Sequence, residues 1–311
     1  MLSDETKIEI FRQHRTRLFG IAYRILGMVD EAEDILQEAY IRWHKTDAAE
    51  VETPEAWLVT VVTRLSIDRL RKAAIERETY IGPWLPEPLA ISPAPSPEDE
   101  AELADNLSLA FMVLLERLSP VERAVFLLHD IFDCDYSDIA RIIGKSETAS
   151  RQMIHRARMR VRRDKPRFEA SETKRTGLIK KFVAATYAGD EKTLWSLFSD
   201  DIEMTSDGGG KVTAARKIVC GKERISRLFT ISATKYKETI ESRLIPVNGE
   251  IGLLNIFNGK IFAVTTFEIA DGKISALYRV MNPDKLKAFE SLNENLFNDY
   301  LSQTSNLNRL D

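Results

Sequence analysis

Apolar residues recur at three- and four-residue steps from about residue 5 to residue 80, with Ile8, Phe11, Leu18, Ile21, Ala22 and Ile25 opening the series. That spacing places them on one face of a 3.6-residue helix, so the whole segment is predicted helical. Gly27 is expected to end the first long helix, because glycine alone enters the left-handed conformation without strain. Asp30 followed by Glu33 predicts a capping-box start for DEAEDILQEAYIRW, the carboxylate accepting from free amides of the first turn. Thr53 and Pro54 predict a further start, running through WLVTVVTRLSIDRLRKAAIERE, with proline placed where no amide hydrogen is needed.

The pattern then breaks. Residues 81–97 hold six of the chain's eleven prolines, which remove amide donors and bias the backbone to extended conformations. This reads as a linker, yet its WLPEP segment carries Trp84, Leu85 and Pro86, bulky groups that a bare spacer does not require. Docking of this segment on a neighbouring domain is one reading and a stiff spacer with an incidental tryptophan the other. Helical pattern resumes from about Glu98, and Ser119-Pro120-Val121-Glu122 joins a capping box to proline at the first helical position. After a polar break at Asp133 to Asp135, YSDIARIIGKSETASRQMIHRARMRVRR reads as two helices joined by a turn at Gly144, Lys145 and Ser146. Gly144 can end the first and Ser146 cap the second, which is helix-turn-helix spacing.

Beyond about Thr173 the periodicity changes again. Helical pattern near 174–198 gives way to GLLNIFNG, KIFAVTTFEIADG and KISALYRVMN, rich in β-formers and punctuated by NGK and DGK turns at Asn258 to Lys260 and Asp271 to Lys273. A separate α+β domain with a curved antiparallel sheet is expected, followed by a terminal helix and a polar, Asn-rich tail. The expected organisation is thus 1–80, a proline-rich linker at 81–98, 99–168, 173–290 and a tail at 291–311.

Composition adds bounds. With 311 residues, 44% hydrophobic and 30% charged, the chain suits two or three ordinary globular domains, and no run approaches the roughly 20 apolar residues of a spanning helix. No membrane span and a cytoplasmic location are expected, since the start MLSDETKIEIF lacks the layout of a signal peptide. Cys134 and Cys220 are the only cysteines and have no metal-site spacing, so neither a disulfide nor a metal site is expected. The net charge of −4 hides a sign change: Glu98 to Asp138 holds eleven acidic residues against Arg117 and Arg123, whereas Arg141 to Arg167 holds ten basic ones against Glu147 and Asp164. A basic helix after an acidic stretch fits one face on DNA better than it fits a catalytic cleft.

In a helix-turn-helix the second helix enters the major groove. Ile139, Ala140, Ile142 and Ile143 can pack the first helix and Met153, Ile154 and Ala157 the second, leaving Arg151, Gln152, His155 and Arg156 outward. Arginine can bridge guanine and glutamine adenine with paired hydrogen bonds, so these are candidate base readers. Lys145, Arg158, Arg160 and Arg162 are candidate phosphate partners.

Several motifs carry a resemblance. Asp30 to Glu38, followed by AYIRW, looks like sigma region 2; TRLSIDRLR at 63–71 looks like its promoter-melting helix; and LSPVERAVFLLHDIFDCDYSDIARIIGKSETASRQMIHRARMRVRR looks like sigma region 4. Together they resemble the extracytoplasmic-function sigma factors of RNA polymerase, which keep regions 2 and 4 alone. WLPEP at 84–88, DGGGK at 207–211 and NPDKL at 282–286 further resemble the subgroup with a fused SnoaL-like, NTF2-related domain. The resemblance implies two all-α sigma modules, a region 2 bundle and a region 4 helix-turn-helix, plus an α+β domain.

It also implies roles. Asp30, Glu33, Asp34, Gln37 and Glu38 would dock on the clamp helices of the polymerase's largest subunit, where carboxylates meet arginine-rich helices, and region 4 would meet the flap of the second-largest subunit. The loop from Lys45 to Thr53 would capture an extruded base of the minus-10 element, with Arg64, Asp68, Arg69 and Arg71 beside it to hold the opened strand. Lys145, Arg151, Gln152, His155, Arg156 and Arg158 would serve the minus-35 element. The fused domain would regulate these modules through Trp84, Leu85, Pro86, Asp207, Gly208, Gly209, Gly210, Lys211, Asn282, Pro283 and Asp284.

Some SnoaL-like relatives are enzymes using a buried carboxylate as general base. Asp201, Glu203, Asp207 and Glu268 are available here, but nothing pairs one with a histidine, all four histidines lying before residue 156. No catalytic residue and no cofactor is expected. Asp207-Gly208-Gly209-Gly210-Lys211 lacks the ending of a phosphate-binding loop and reads as a docking loop for the sigma modules or the WLPEP linker. A small ligand in the domain's pocket could shift a closed, inactive arrangement. The alternative to an initiation factor is a helix-turn-helix transcription regulator with a ligand-binding or isomerase-like SnoaL domain; DEAEDILQE followed by TRLSIDRLR favours the former.

Overall fold

The computed structural model describes residues 3–47, 51–90, 108–162, 172–236 and 239–290. Contacts divide the chain into one unit of residues 1–79, 95–107 and 111–165 and a second of 80–94, 108–110 and 166–311.

The first unit is helical. Helix α1 (Asp4–Leu26) begins at Ser3, whose hydroxyl accepts from the Thr6 amide, and ends at Gly27 with φ +74°. Helix α2 (Val29–Lys45) follows two residues later, with Met28 at its N-cap and no side-chain capping bond. The expected capping role of Asp30 is therefore corrected. The left-handed Gly27 turns the chain so tightly that the new helix has begun before Asp30, which stands inside its first turn, where a carboxylate favours the helix through the dipole. Helix α3 (Pro54–Arg77) starts with proline in its first turn as expected. The loop expected from Lys45 starts one residue later, Lys45 being the last residue of α2, and residues 48–50 lie outside the described residues. Buried Trp43 anchors α2 to α1 by donating to the Lys7 carbonyl at 3.0 Å.

The restart expected near Glu98 also lies outside the described residues; the next described helix is α4 (Leu109–Leu115). Helix α5 (Pro120–Asp130) shows the complete capping box of Ser119 and Glu122. Helix α6 (Tyr136–Ile143) buries Ile139, Ala140 and Ile142 and ends at Gly144 with φ +66°, while Ser146 Oγ accepts from the Ala149 amide at the start of α7 (Glu147–Arg162). Buried Arg123 ties these helices to α1. Its guanidinium donates to the carbonyls of Ile25 at 2.8 Å and Leu115 at 3.0 Å and pairs with Glu116 at 2.7 Å, so a charge taken from water meets a counter-charge and two carbonyls.

In the second unit, α8 (Glu172–Ala188), α9 (Glu191–Leu197) and α10 (Lys222–Tyr236) accompany a six-stranded sheet in the order β2-β1-β6-β5-β4-β3. The strands are β1 (Phe198–Asp207), β2 (Val219–Cys220), β3 (Ile240–Val247), β4 (Glu250–Phe257), β5 (Lys260–Ala270) and β6 (Lys273–Val280). Asn248-Gly249, Asn258-Gly259 and Asp271-Gly272 all have positive φ, the requirement of two-residue hairpin turns, and they join β3 to β6 as an antiparallel meander. The antiparallel expectation needs one correction: β1 runs parallel to β6. No hairpin links the two, because β1 enters from the helical end of the domain and the chain reaches β6 only after α10 and the meander. Phe182, Phe198, Phe267, Leu253 and Leu277 form the centre of the core between helices and sheet. A 3-10 turn (Pro283–Lys285) and a short α11 (Lys287–Glu290) close the described chain.

Candidate nucleic-acid interface

The amphipathic pattern of α7 puts Ile154, Ala157 and Val161 in the core and Met153 at its edge. Arg151, Gln152, His155 and Arg156, three and four residues apart from one another, are all exposed, so one helix face presents two guanidiniums, an amide and an imidazole to solvent. Arg151 lies over the Tyr136 ring at 4.7 Å and reaches Glu147 at 3.6 Å, contacts that orient it without burying it. Lys145 is exposed in the turn, its amide closing the end of α6 on the Ala140 carbonyl.

Two arginines assigned to phosphate by sequence stand elsewhere. Arg158 is half-buried and grips Asp130 with one edge of its guanidinium, Nε at 2.8 and 2.9 Å together with Nη2, and Arg160 pairs with Glu122 at 2.7 Å. Both tie α7 to α5. Hydrogen bonding by Asp130 outweighs the partial burial of Arg158 and pushes its pKa up. The physical reason is the geometry of α7: Arg158 follows Ala157 at the edge of the inward stripe, where α5 offers carboxylates.

Helix α3 treats its cations in the same way. Arg64 donates to the carbonyls of Ile142 at 2.7 Å and Arg141 at 2.9 Å, groups that the end of α6 leaves without intrahelical partners. Arg69 pairs with Glu31 at 2.7 Å and Glu76 at 3.0 Å, and exposed Arg71 with Asp68 at 2.8 Å. The sequence-selected residues of α3 are thus engaged within the first unit, Arg64 on the helix-turn-helix itself. Exposed Lys45 stands at the other end of the expected minus-10 set. On α2, Asp30, Asp34 and Gln37 are exposed at steps of four and three residues and form one polar stripe, continued by exposed Ile41. Glu33 and Glu38 flank it and pair with Arg15 and Arg42, at 2.7 and 2.8 Å.

In the second unit the three motifs WLPEP, DGGGK and NPDKL converge. Asp207, wholly buried at the end of β1, accepts from the Tyr80 hydroxyl at 2.5 Å, the Leu85 amide at 2.9 Å, the Gly209 amide at 3.0 Å and the Lys285 ammonium at 2.7 Å. Lys285 also donates to the Leu85 carbonyl and lies 4.1 Å above the Trp84 ring. Asn282 donates to Tyr80 Oη at 3.0 Å and caps the 3-10 turn through the Asp284 amide, while exposed Lys211 and Asp284 pair outside. Burial, followed by the Asp207 acceptor, raises the Tyr80 pKa, so the phenol stays a donor. The glycines are sterically required: a Cβ on Gly209, at φ +58°, would stand 2.4 Å from Asn282 Nδ2, and one on Gly210, at φ +71°, 2.9 Å from Ile81 Cδ1. Leu85 and Pro86 are buried, so this stretch is not a bare spacer. Tyr80 and Lys285 were not singled out by sequence, although Lys285 stands inside NPDKL; a lysine next to an aspartate gives no sign that it will be buried.

The carboxylates considered for catalysis do not gather. Asp201 and Glu203 are exposed, Asp207 holds the linker, and Glu268 accepts from Tyr278 at 2.9 Å. A pocket of this domain is lined instead by aromatic and aliphatic residues with Tyr187, Ser242, Asn255 and Arg279, and among the described residues its lining contains no Asp, Glu or His. Among the described residues, no helix is long and apolar enough to cross a membrane, and no cluster of three metal-ligating side chains occurs. Cys134 is half-buried and Cys220 exposed.

Known proteins share this arrangement. Sigma-70 region 2 matches residues 10–75 and Sigma-70 region 4 matches residues 108–161. The chain is 36% identical over 291 residues to the ECF RNA polymerase sigma factor SigJ of Mycobacterium tuberculosis, covering 90% of this chain and 92% of that protein. It is 29% identical to a probable ECF RNA polymerase sigma factor, SigI, of the same organism, covering 89% and 93%. The crystal structure of the Mycobacterium tuberculosis extracytoplasmic function sigma factor SigJ superposes with a TM-score of 0.73 at 34% identity, covering 90% of this chain and 98% of that one.

Proposed function

Because the chain belongs to the extracytoplasmic-function RNA polymerase sigma factors, we propose that its exposed α7 face reads the minus-35 element and that the fused domain modulates initiation. Sigma factors bind core polymerase and promoter DNA; they are initiation factors rather than enzymes. The observation that carries the minus-35 reading is the exposure of Arg151, Gln152, His155 and Arg156 on the outer face of the second helix of a helix-turn-helix. That face has the donors and acceptors to read base edges in the major groove, and Lys145 in the adjoining turn meets phosphate.

The stripe of Asp30, Asp34 and Gln37, flanked by Glu33 and Glu38, docks on the clamp helices of the largest subunit, and region 4 on the flap of the second-largest, in the cytoplasm. Lys45, Arg64, Asp68, Arg69 and Arg71 serve the minus-10 element once core binding separates Arg64 from the end of α6. The residues at 1–80 act as region 2, those at 99–168 as region 4 and those at 173–290 as the regulatory domain, with 81–98 as the connection that this domain grips. By holding Tyr80 and Leu85 on Asp207 and Lys285, the fused domain fixes one end of the connection between regions 2 and 4 and favours a resting arrangement.

Transcription reconstituted with core polymerase tests both parts. Arg156→Ala should lower output from the cognate promoter while core binding persists, and Asp34→Arg should weaken core binding. A Trp84→Ala/Leu85→Ala variant, which loosens the connection without touching the sheet, should change promoter output. Unchanged output in that variant would sink the modulation reading, and open-complex formation unaffected by Arg156→Ala would sink the minus-35 reading.

A further inference from the structure

Arg279 on β6 points into the pocket of the C-terminal domain, where its guanidinium lies between the rings of Phe262, 5.2 Å away, and Phe229, 5.8 Å away. Its Nε is buried and has no hydrogen-bond partner, and no carboxylate of the described chain pairs with it. Thr186 Oγ1, on the same lining, is likewise buried without a partner. The opposite polar wall is built: Asn255 donates to Ser242 Oγ at 2.9 Å, and Tyr187 donates to the Ile240 carbonyl at 3.0 Å with Ser242 Oγ at 3.1 Å. Lys285, six positions on, shows what this fold does with a structural cation, which it surrounds with a carboxylate and a carbonyl. Among the described residues, Arg279 receives none of this. A guanidinium kept in an aromatic cleft without a counter-charge costs stability unless another anion meets it.

We infer that this pocket binds a short-chain organic carboxylate, the Arg279 guanidinium taking the carboxylate and the aromatic and aliphatic wall taking the alkyl body. The charge is single and planar, which suits a carboxylate fork. The remaining lining is chiefly apolar, which a bare inorganic anion would leave unused. Size limits the body: the cleft encloses about 50 Å³ and opens to solvent, so it admits a narrow short chain with one end at the mouth, and not a ring of the kind that fills an apolar cavity of roughly 150 Å³. With neither an acid nor a histidine in the lining, the pocket has the groups to bind and none to abstract a proton. Burial lowers the Arg279 pKa to about 10, which leaves it cationic at neutral pH.

The inference rests on the modulation reading for its consequence, but binding is measured without transcription, so the two fail separately. Butyrate, its neutral isostere butyramide and inorganic phosphate are titrated against the full chain at constant ionic strength, by calorimetry or ligand-observed NMR. Butyrate should bind saturably, with butyramide and phosphate weaker by on the order of tenfold or more, the margin of a charge-assisted bond. Arg279→Met should abolish the difference between butyrate and butyramide, and Arg279→Lys, which keeps the charge but loses the fork, should reduce it. Should Arg279→Met not fold, the three-ligand comparison on the unaltered chain and the Arg279→Lys variant still decide. Equal binding of butyrate and butyramide, phosphate binding as tight as butyrate, or no saturable butyrate binding up to about 10 mM would each overturn the site. Carboxylate-selective binding combined with unchanged transcription in the Trp84→Ala/Leu85→Ala variant would uphold the site and sink the modulation reading alone.

Discussion

The node around Asp207 and the outer face of α7 use the same residue chemistry to opposite ends. At Asp207 a carboxylate and the Lys285 ammonium are wholly enclosed, and each finds partners in the linker and its own domain. On α7, Gln152, His155 and Arg156 stay exposed and make no hydrogen bond or ion pair among the described residues. A charged side chain that is fully satisfied fixes structure, because removing its partner strands it; one left to solvent is available to an outside partner at little cost to the fold. Arg158 and Arg160, neighbours of the proposed reading face, fall on the first side of this divide, whereas half-buried Arg279, with no counter-charge among the described residues, resembles the second.

The sharpest way to break the comparison is Asp207→Asn. It leaves Lys285 buried and uncompensated and should cost about 3–5 kcal/mol, read as the denaturant midpoint of the C-terminal domain's transition; a loss under about 0.5 kcal/mol, the scale of an ordinary surface change, would show that the node is not structural. Next in size, Arg156→Ala should weaken binding of the holoenzyme to its minus-35 element by about 1–3 kcal/mol with the melting temperature unchanged. Arg158→Ala should do the reverse, lowering stability by roughly 1 kcal/mol while base discrimination at the minus-35 element persists. If the two variants behave alike, exposure does not separate reader from strut.

The smallest effect concerns Arg279 and has a defined sign. Its folded-state pKa is lowered by burial, so below about pH 10 the cation is present in both states and folding bears the cost of enclosing it. Above that, the folded chain releases the proton while the unfolded chain keeps it, and stability rises with pH. Arg279→Met should therefore be more stable than the unaltered chain at pH 8, with the gap narrowing once pH passes about 10, measured by denaturant titration at each pH. A widening gap would contradict the enclosed cation.

Sequence was most informative where the determinants are local. Gly27 and Gly144 end their helices in the left-handed conformation, the Ser119 box forms, and the Asn-Gly and Asp-Gly turns produce hairpins, because each depends on a few neighbouring residues. Where a long-range partner competes, local reasoning stops short. The Asp30 box reads well in sequence but the preceding turn claims the helix start, and the parallel pairing of β1 with β6 has no local signal at all. Strand β1 and helix α10 went unrecognised for the same reason, since FSDDIEMTSD alternates only weakly and KERISRLFTISATKY carries mixed cues.

The same boundary runs through the candidate sites. The sequence by itself determined the helix-turn-helix, the outward set on α7 and the polar stripe on α2, since helical periodicity decides which side chains share a face. Only the tertiary structure decided which cations stay available. Arg158 is taken by Asp130, Arg64 by the carbonyl end of α6 and Lys285 by Asp207, while Arg279 receives no counter-charge from the described residues. An arginine or lysine looks the same in every sequence; whether it is satisfied depends on acceptors brought near by packing, and those lie tens of residues away along the chain.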